Sequence, residues 1–249
     1  MRRIKLILEY DGTAYAGWQR QENAISVQQR VEEALRRITD EEALTVTGAS
    51  RTDAGVHALG QSAHFDTESR IPADKFSFAL NTLLPDDIRV SASCEAPSGF
   101  HARFSALGKE YRYLFYSHPH ASALYSRLCW HVIYPLDIGL MNREAQSALG
   151  THDFAPFAAS GSVVKDTVRT IDSIAVYRND LFIELRVHGN GFLYNMVRIL
   201  AGTLAKVGSG KLEAGAIERA LKSSSRLDLG VTAPPQGLTL MRVDYPEDA

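Results

Sequence analysis

Cysteine is scarce in this chain of 249 residues, which contains only Cys94 and Cys129. The two lie far apart among ordinary residues, so the sequence indicates neither a disulfide framework nor a CxxC metal-binding motif. We expect both thiols to be reduced and to act as packing residues.

Long hydrophobic runs are missing as well. No stretch of about 18 apolar residues, the length that suggests a membrane helix, occurs in the chain. Met1-Arg2-Arg3 leads into a strand-like segment rather than into the apolar core of a signal peptide. Hydrophobic residues make up 45% of the chain and charged residues 22%, which is enough apolar material for a core. We expect a globular, cytoplasmic protein without a membrane segment.

Charge of one sign is not in excess, because the formal net charge is -2. This balance argues against coating of nucleic acid by bulk electrostatics, but it is compatible with a local basic cleft. Repeats, low-complexity tracts and long linkers are absent too, so the length fits one large domain or two of ordinary size.

The N-terminal half alternates strand-like and helix-like segments. A helix is predicted to begin after Ser26, because Ser26 and Gln29 have the spacing of a capping box and apolar residues then recur at helical spacing. The order strand, helix, strand, strand, helix, strand is typical of a ferredoxin-like split βαβ unit. The predicted strands cover residues 4–10, 44–47, 62–66 and 88–95, and the second helix covers residues 74–84.

The C-terminal half is richer in strands and also contains helical patterns. We predict an N-terminal α/β domain over residues 1–105 and a C-terminal α/β domain over residues 106–249. The predicted C-terminal elements are a strand at 109–116, a helix within 136–150, a hairpin of 168–177 and 181–188, helices at 189–204 and 214–221, and a final strand after 234.

A glycine-rich loop, residues 48–61, separates two of the predicted strands and carries Arg51 and Asp53. Glycines allow a ligand to approach the backbone closely. The residue types alone are equally compatible with a turn in which Asp53 caps the backbone and Arg51 is solvated.

Two arginines outside this loop are suited to contact a phosphate, and one tyrosine stands in an aromatic pattern. Arg20 lies in an aromatic and polar segment, residues 13–23, and is suited to contact a phosphate or a base. Arg103, two residues after His101, is suited either to phosphate contact or to an interdomain salt bridge. Tyr111 belongs to an aromatic stripe on a predicted strand, and such a stripe usually lies in the core.

Arg198 lies in the longest predicted helix, at the edge of the apolar stripe and about 100° around the axis from Val197. An arginine at such a position usually lays its stem on the core and keeps its charge in water. The pattern by itself therefore assigns no chemistry to Arg198.

The run Arg51-Thr52-Asp53-Ala54-Gly55-Val56-His57 resembles the signature of the TruA family of tRNA pseudouridine synthases, whose catalytic residue is the Asp of that motif. Five further motifs follow the order of that family: YDGTAYAGWQRQ, FHARFSA, the Tyr-x-Tyr beginning at Tyr111, GNGFLYNMVR and PPQGLTL. The resemblance covers nearly the whole chain.

The resemblance implies an α+β fold of two ferredoxin-like α/β domains related by a pseudo-twofold, which share a central antiparallel sheet and enclose a basic cleft. It also implies a homodimer that uses no cofactor and no metal. By the same resemblance, Tyr111 lies against the target uracil and Arg198 pairs with Asp53, while Arg51 holds the flipped nucleotide or takes its vacated place.

The implied reaction is isomerisation of uridine to pseudouridine at positions 38, 39 and 40 of the tRNA anticodon stem-loop, with Asp53 as nucleophile and base flipping. Attack at C1′ or at C6 is not decided by the sequence, nor is the role of Tyr111 as a stacking group or a base. The alternatives are an RNA-binding module without turnover and a glycosidase, for which a second carboxylate is missing from the motif.

Overall fold

The polypeptide begins with a strand, and the chain forms two units that each contain strands and helices. The computed structural model describes residues 1–159 and 166–247. The first unit comprises Met1–Leu107 and the segment from Leu240, and the second comprises Gly108–Thr239. The C-terminal segment is thus grouped with the N-terminal part of the chain. Both units mix helices with strands, so the chain is of the α+β class.

The first unit has the predicted order of elements. Its strands pair antiparallel in the order β4, β1, β3 and β2, the arrangement of a split βαβ unit. The elements are β1 (Arg2–Tyr10), α1 (Val27–Thr39), β2 (Thr47–Gly48), β3 (His57–Thr67), α2 (Phe76–Asn81) and β4 (Ile88–Ala96).

The start of α1 confirms the predicted cap. The Ser26 side chain accepts a hydrogen bond from the Gln29 backbone N–H at 3.2 Å, which satisfies one donor of the first turn. Val31 and Leu35 are fully buried along one stripe. The helix ends at Asp40, whose φ of 59° is left-handed.

The strand predicted at residues 44–47 is wrong in extent, because only Thr47 and Gly48 are extended and paired. The backbone groups of Val46 are instead hydrogen-bonded to side chains of α1. The Val46 N–H donates to Glu32 Oε1 at 3.1 Å, and the Val46 carbonyl accepts from Gln28 Nε2 at 3.0 Å. The first of these bonds also supplies a partner to the buried carboxylate of Glu32.

The second unit contains an antiparallel sheet in the order β5, β9, β8 and β7, with β6 parallel to β5. The predicted hairpin is confirmed, and Asp180 at its tip has a φ of 51°. The elements are β5 (Gly108–Ser117), β6 (Trp130–Val132), α3 (Ile138–Gln146), β7 (Gly150–Asp153), β8 (Val168–Asn179), β9 (Phe182–Gly189), α4 (Met196–Gly208) and α5 (Ala216–Ser223). The last strand, β10 (Leu238–Asp244), runs from the second unit into the first.

The helix α4 begins seven residues later than the sequence pattern predicts. Asn190 is tied to β8 at both its backbone and its side chain: its N–H donates to the Thr170 carbonyl at 3.1 Å, and its Oδ1 accepts from the Thr170 N–H at 3.0 Å. Those groups are unavailable for a helical turn. The helix starts only after Asn195, which has a φ of 62°.

Five short 3-10 turns connect these elements within the described residues, at Gly12–Ala14, Ala73–Lys75, Ala155–Phe157, Arg226–Asp228 and Pro235–Gly237. Of the two cysteines, Cys129 is buried as predicted, whereas Cys94 is exposed on β4 and the packing role predicted for it is wrong. Within the described ranges, no helix is both long enough and apolar enough for a membrane span.

His64, on β3, is buried and neutral. Its Nδ1 accepts the Ala102 N–H at 3.1 Å. Burial is the main cause that lowers the pKa of His64 to about 4; the charges of Arg3 and His101 add to it, and Asp66 opposes it. Protonation of this ring is therefore disfavoured in the folded protein.

We expect the free energy of unfolding to fall as the pH drops through the window between the ordinary pKa of about 6.5 and a pKa of about 4, because the unfolded chain there binds a proton that folded His64 does not. One such proton corresponds to a slope of at most about 1.4 kcal/mol per pH unit. Urea unfolding at about pH 7 and about pH 5 measures it. The His64→Gln variant should lose less stability between these two values, and equal losses would contradict this assignment.

Candidate active site

The loop that carries Asp53 is held in place by the segment that follows β1. The Trp18 N–H donates to the Thr52 carbonyl at 3.0 Å, and the Gly55 N–H donates to the Tyr15 carbonyl at 3.3 Å. The Thr52 hydroxyl is hydrogen-bonded to the Tyr10 hydroxyl at 2.7 Å. The residues on both sides of Asp53 are therefore held by residues of the YDGTAYAGWQRQ motif.

Close backbone approach explains a glycine in that supporting segment. Gly17 has a φ of 91°, and a Cβ there would overlap the Thr52 carbonyl. Within the loop itself, the Val56 N–H donates to the Asp53 carbonyl at 3.1 Å and closes a turn. Asp53 is half-buried in this turn. Its backbone position is thus supported by main-chain bonds.

Arg51 lies two residues before Asp53 and is exposed. Its nearest polar partner is Gln19 Oε1, which accepts from a guanidinium N–H at 3.4 Å. Among the residues that the structure describes, no carboxylate forms an ion pair with Arg51. The guanidinium is therefore available to an anion such as an RNA phosphate.

The other arginines of the first unit differ in what they contact. Arg20 donates to the buried Glu32 carboxylate at 3.0 Å and is half-exposed, so part of its hydrogen-bonding capacity is used inside the protein. Arg103 is exposed, and its guanidinium lies over the ring of Phe104 at 5.6 Å from the centroid. Of the two, Arg103 is the freer to bind an external phosphate.

Tyr111 lies on β5 in the second unit and is only 6% exposed. Its ring meets that of Phe192 edge to face, with 5.2 Å between centroids. The next tyrosine of the stripe, Tyr113, and Phe115 are fully buried, which confirms the core role predicted for them. The Tyr113 hydroxyl donates to the Pro234 carbonyl at 2.8 Å, and burial raises the pKa of that hydroxyl.

Arg198, in the first turn of α4, is held by two groups of the second unit. Its Nε donates to the Ala233 carbonyl at 2.8 Å, and its terminal Nη1 donates to Asn195 Oδ1 at 2.6 Å. The Ala233 N–H in turn donates to the Arg198 carbonyl at 3.0 Å. The guanidinium is therefore fixed in orientation, unlike a solvated arginine at a helix edge.

Close packing of α4 against the segment before Ala233 makes the hydrogen bonds between Arg198 and Ala233 possible. A Cβ at Gly202 would overlap the Val231 carbonyl, and the Gly230 N–H donates to the Thr203 hydroxyl at 3.0 Å. Both contacts draw the segment onto the helix, which places the Ala233 carbonyl beside Arg198.

Asn195 and Ala233 support Arg198 and are not among the residues predicted from the sequence. Asn195 carried a usable signal, because an Asn just before a helix and three residues before the arginine has the spacing of a helix-face neighbour. Ala233 carried none, since its carbonyl rather than its side chain makes the contact. Asp53, Arg51, Arg20 and Arg103 thus lie in the first unit, and Tyr111 and Arg198 in the second.

No cluster of three or more His, Cys, Asp and Glu side chains suited to hold a metal ion occurs among residues 1–159 and 166–247. The groups described above are carboxylate, guanidinium, phenol and amide. Their chemistry is nucleophilic attack, charge stabilisation and binding of a polyanion.

Comparison with known proteins identifies the family. The model of the tRNA pseudouridine synthase family matches residues 6–105 and 145–246, which include Asp53 and Arg198 but not Tyr111. The chain is 51% identical to tRNA pseudouridine synthase A of Acetivibrio thermocellus, over 98% of this chain and 100% of the relative. It is 52% identical to the enzyme of that name from Ruminiclostridium cellulolyticum, again over 98% and 100%. The chain therefore belongs to the tRNA pseudouridine synthase family.

Proposed function

We propose that this protein isomerises uridine to pseudouridine at positions 38, 39 and 40 of the tRNA anticodon stem-loop, with Asp53 as the nucleophile. The observation that carries the proposal is the similarity, over essentially the full chain, to enzymes named tRNA pseudouridine synthase A. The fixed loop around Asp53 and the clamped Arg198 support it.

The reaction breaks the N1–C1′ bond of the nucleotide and forms a C5–C1′ bond, so the product has the mass of the substrate. Asp53 holds the nucleotide through a covalent bond, at C1′ or at C6, while the uracil ring turns. The hydrogen on C5 leaves as a proton after the new bond forms, and N1 takes up a proton. No oxidant, reductant or second substrate is needed.

The target base is stacked inside the RNA and must be flipped out, at a cost of a few kcal/mol. Arg51 offsets part of this cost by holding the phosphate of the flipped nucleotide or by filling the vacated place. Tyr111 stacks against the flipped uracil, or its hydroxyl takes the C5 proton. The exposed guanidinium of Arg51, which donates only to Gln19 among the described residues, and the packed ring of Tyr111 support these roles.

Arg198 pairs with Asp53 in this proposal and keeps the carboxylate ionised. A carboxylate shielded from water tends to take up a proton, and an adjacent guanidinium favours the charged form. The hydrogen bonds of Arg198 to Ala233 and Asn195 support a fixed, charged partner at this place.

The proposed assembly is a cytoplasmic homodimer without cofactor or metal. Each chain has two α/β domains related by a pseudo-twofold, which share a central sheet and enclose a basic cleft for the anticodon arm. The first domain supplies Asp53, and the second supplies Tyr111 and Arg198. The βαββαβ order of the first unit supports the ferredoxin-like character of that domain.

Incubation of the protein with an unmodified tRNA transcript tests the proposed activity. We expect conversion of uridine to pseudouridine at positions 38–40, without change of mass and in the presence of a metal chelator. Nucleoside analysis and site mapping measure it. Release of free uracil would instead indicate a glycosidase, and binding with unchanged uridine would indicate an RNA-binding module.

A further inference from the structure

The segment that follows β4 displays an aromatic ring to solvent. Phe104 is 77% exposed, although burying such a ring would normally stabilise the fold. One of its neighbours is the His101 ring, at 4.3 Å between centroids and 31° between planes. Another is the Arg103 guanidinium, 5.6 Å from the centroid of Phe104. The three side chains form a small platform of two rings and a cation, which we call the Phe104 platform.

Backbone hydrogen bonds hold the Phe104 platform in one conformation. The His101 Nδ1 accepts the N–H groups of Arg103 and Phe104, both at 3.2 Å. Ser105 closes the turn from the other side, because its N–H donates to the His101 carbonyl at 2.9 Å and its hydroxyl accepts the His101 N–H at 2.9 Å. The exposed ring is therefore preorganised rather than a mobile loop tip.

The base of the platform is also anchored. The His101 ring meets the buried His64 ring at 4.9 Å between centroids. Arg3 donates to the carbonyls of Ser98 and Phe100, at 2.9 and 2.6 Å, and binds the Asp66 carboxylate through two bonds of 2.7 Å. The fold thus uses several partly buried contacts to present a ring that is itself exposed to water.

A second exposed phenylalanine of the first unit provides a contrast. Phe78 on α2 is 68% exposed and has the Lys75 ammonium 5.2 Å from its centroid. That ammonium is already paired with Asp74 at 3.0 Å. No carboxylate in the described part of the chain pairs with Arg103. Of these two exposed rings, only that of the Phe104 platform lies beside a cation whose charge is not compensated.

We propose that the Phe104 platform binds an unpaired nucleotide of the tRNA other than the uridine that is isomerised. Its base stacks on the Phe104 ring, and its phosphate pairs with Arg103. Aromatic rings and arginines bind unstacked RNA bases and phosphates in this way. The inference rests on the proposed function, because it takes the substrate to be a tRNA with bases outside its helical stack.

Equilibrium binding of an unmodified tRNA transcript tests the platform. We expect Phe104→Ala to weaken binding about tenfold, within the range that base–aromatic stacking contributes, and Phe104→Trp to restore it. Phe78→Ala is the matched control and should bind like the native protein. Arg103→Gln should reduce the slope of log K against log salt by about one, as expected for one lost phosphate contact.

Steady-state kinetics separates this role from a structural one. The loss in Phe104→Ala should appear as a raised KM, whereas a variant that misplaces Asp53 would lower kcat. Native affinity in Phe104→Ala would overturn the inference, even while the native protein forms pseudouridine. A change of oligomeric state in Phe104→Ala, measured by light scattering, would overturn it in favour of a protein contact. If the native protein binds the transcript but forms no pseudouridine, the proposed function fails while the binding comparison still tests the platform.

Discussion

Asp53→Asn is expected to abolish pseudouridine formation while leaving tRNA affinity within about tenfold of the native value. The amide has the shape of the carboxylate but lacks its negative charge and nucleophilicity, so the covalent bond to the nucleotide does not form. Loss of a nucleophile costs on the order of 10⁴-fold or more in turnover in other enzymes. Single-turnover conversion of a tRNA transcript measures the rate, and equilibrium binding measures the affinity.

The structure makes this substitution a clean test. The loop is positioned by main-chain bonds to the Trp18 N–H and to the Tyr15 carbonyl and by the turn from Val56 to Asp53, and none of these bonds uses the Asp53 carboxylate. Asp53→Ala provides a second variant that cannot revert to Asp by deamidation. Asp86→Asn, at an exposed residue of the same unit, is the control and should convert tRNA normally. Retained turnover in both Asp53 variants would remove this residue from the mechanism.

Local interactions account for the parts of the fold that the sequence predicts well. The cap of α1 needs only Ser26 and Gln29, three residues apart, and the hairpin tip at Asp180 needs only its own turn. Patterns of this kind are complete within a short window. The element order of the first unit follows from them.

Side chains that are distant in sequence account for the strand and helix boundaries that are predicted wrongly. The strand predicted at 44–47 is shortened because Glu32 and Gln28 bind the backbone of Val46. The start of α4 is delayed because Asn190 pairs with Thr170 across the sheet. Each of these hydrogen-bond partners lies at least 14 residues away in sequence. The short stretches over which hydrophobic periodicity is read therefore do not contain it.

The candidate site likewise contains residues that the sequence predicts and contacts that it does not predict. Asp53 and Arg198 are predicted from motifs. Most of their supports are not, because apart from the Asn195 side chain these supports are backbone carbonyls and close glycine contacts. The Ala233 carbonyl and the Gly202 contact fix Arg198, and the sequence gives neither a side-chain signal. The hydrogen bond from Arg20 to Glu32 could not be predicted from the sequence either, since it joins a loop to a helix.

Arg198→Met is expected to lower turnover by on the order of 10²- to 10³-fold, with a much smaller effect on tRNA affinity, because a fixed charge at the reacting groups is lost. In the proposed pairing, removal of the guanidinium raises the pKa of the Asp53 carboxylate. Activity requires that carboxylate ionised. The acidic limb of the kcat profile should therefore move to higher pH.

Arg198→Lys and Asn195→Ala separate the charge from its position. The lysine keeps a positive charge but cannot donate to Ala233 and Asn195 in the geometry of the guanidinium, so it should restore part of the pH profile and little of the rate. Asn195→Ala keeps Arg198 but removes one of its acceptors, and we expect a loss of about tenfold in kcat, which corresponds to about 1.4 kcal/mol. Thermal unfolding of Arg198→Met reports the cost of the unpaired Ala233 carbonyl. If Arg198→Met reduces stability but leaves kcat and its pH profile unchanged, Arg198 holds the fold together and takes no part in catalysis.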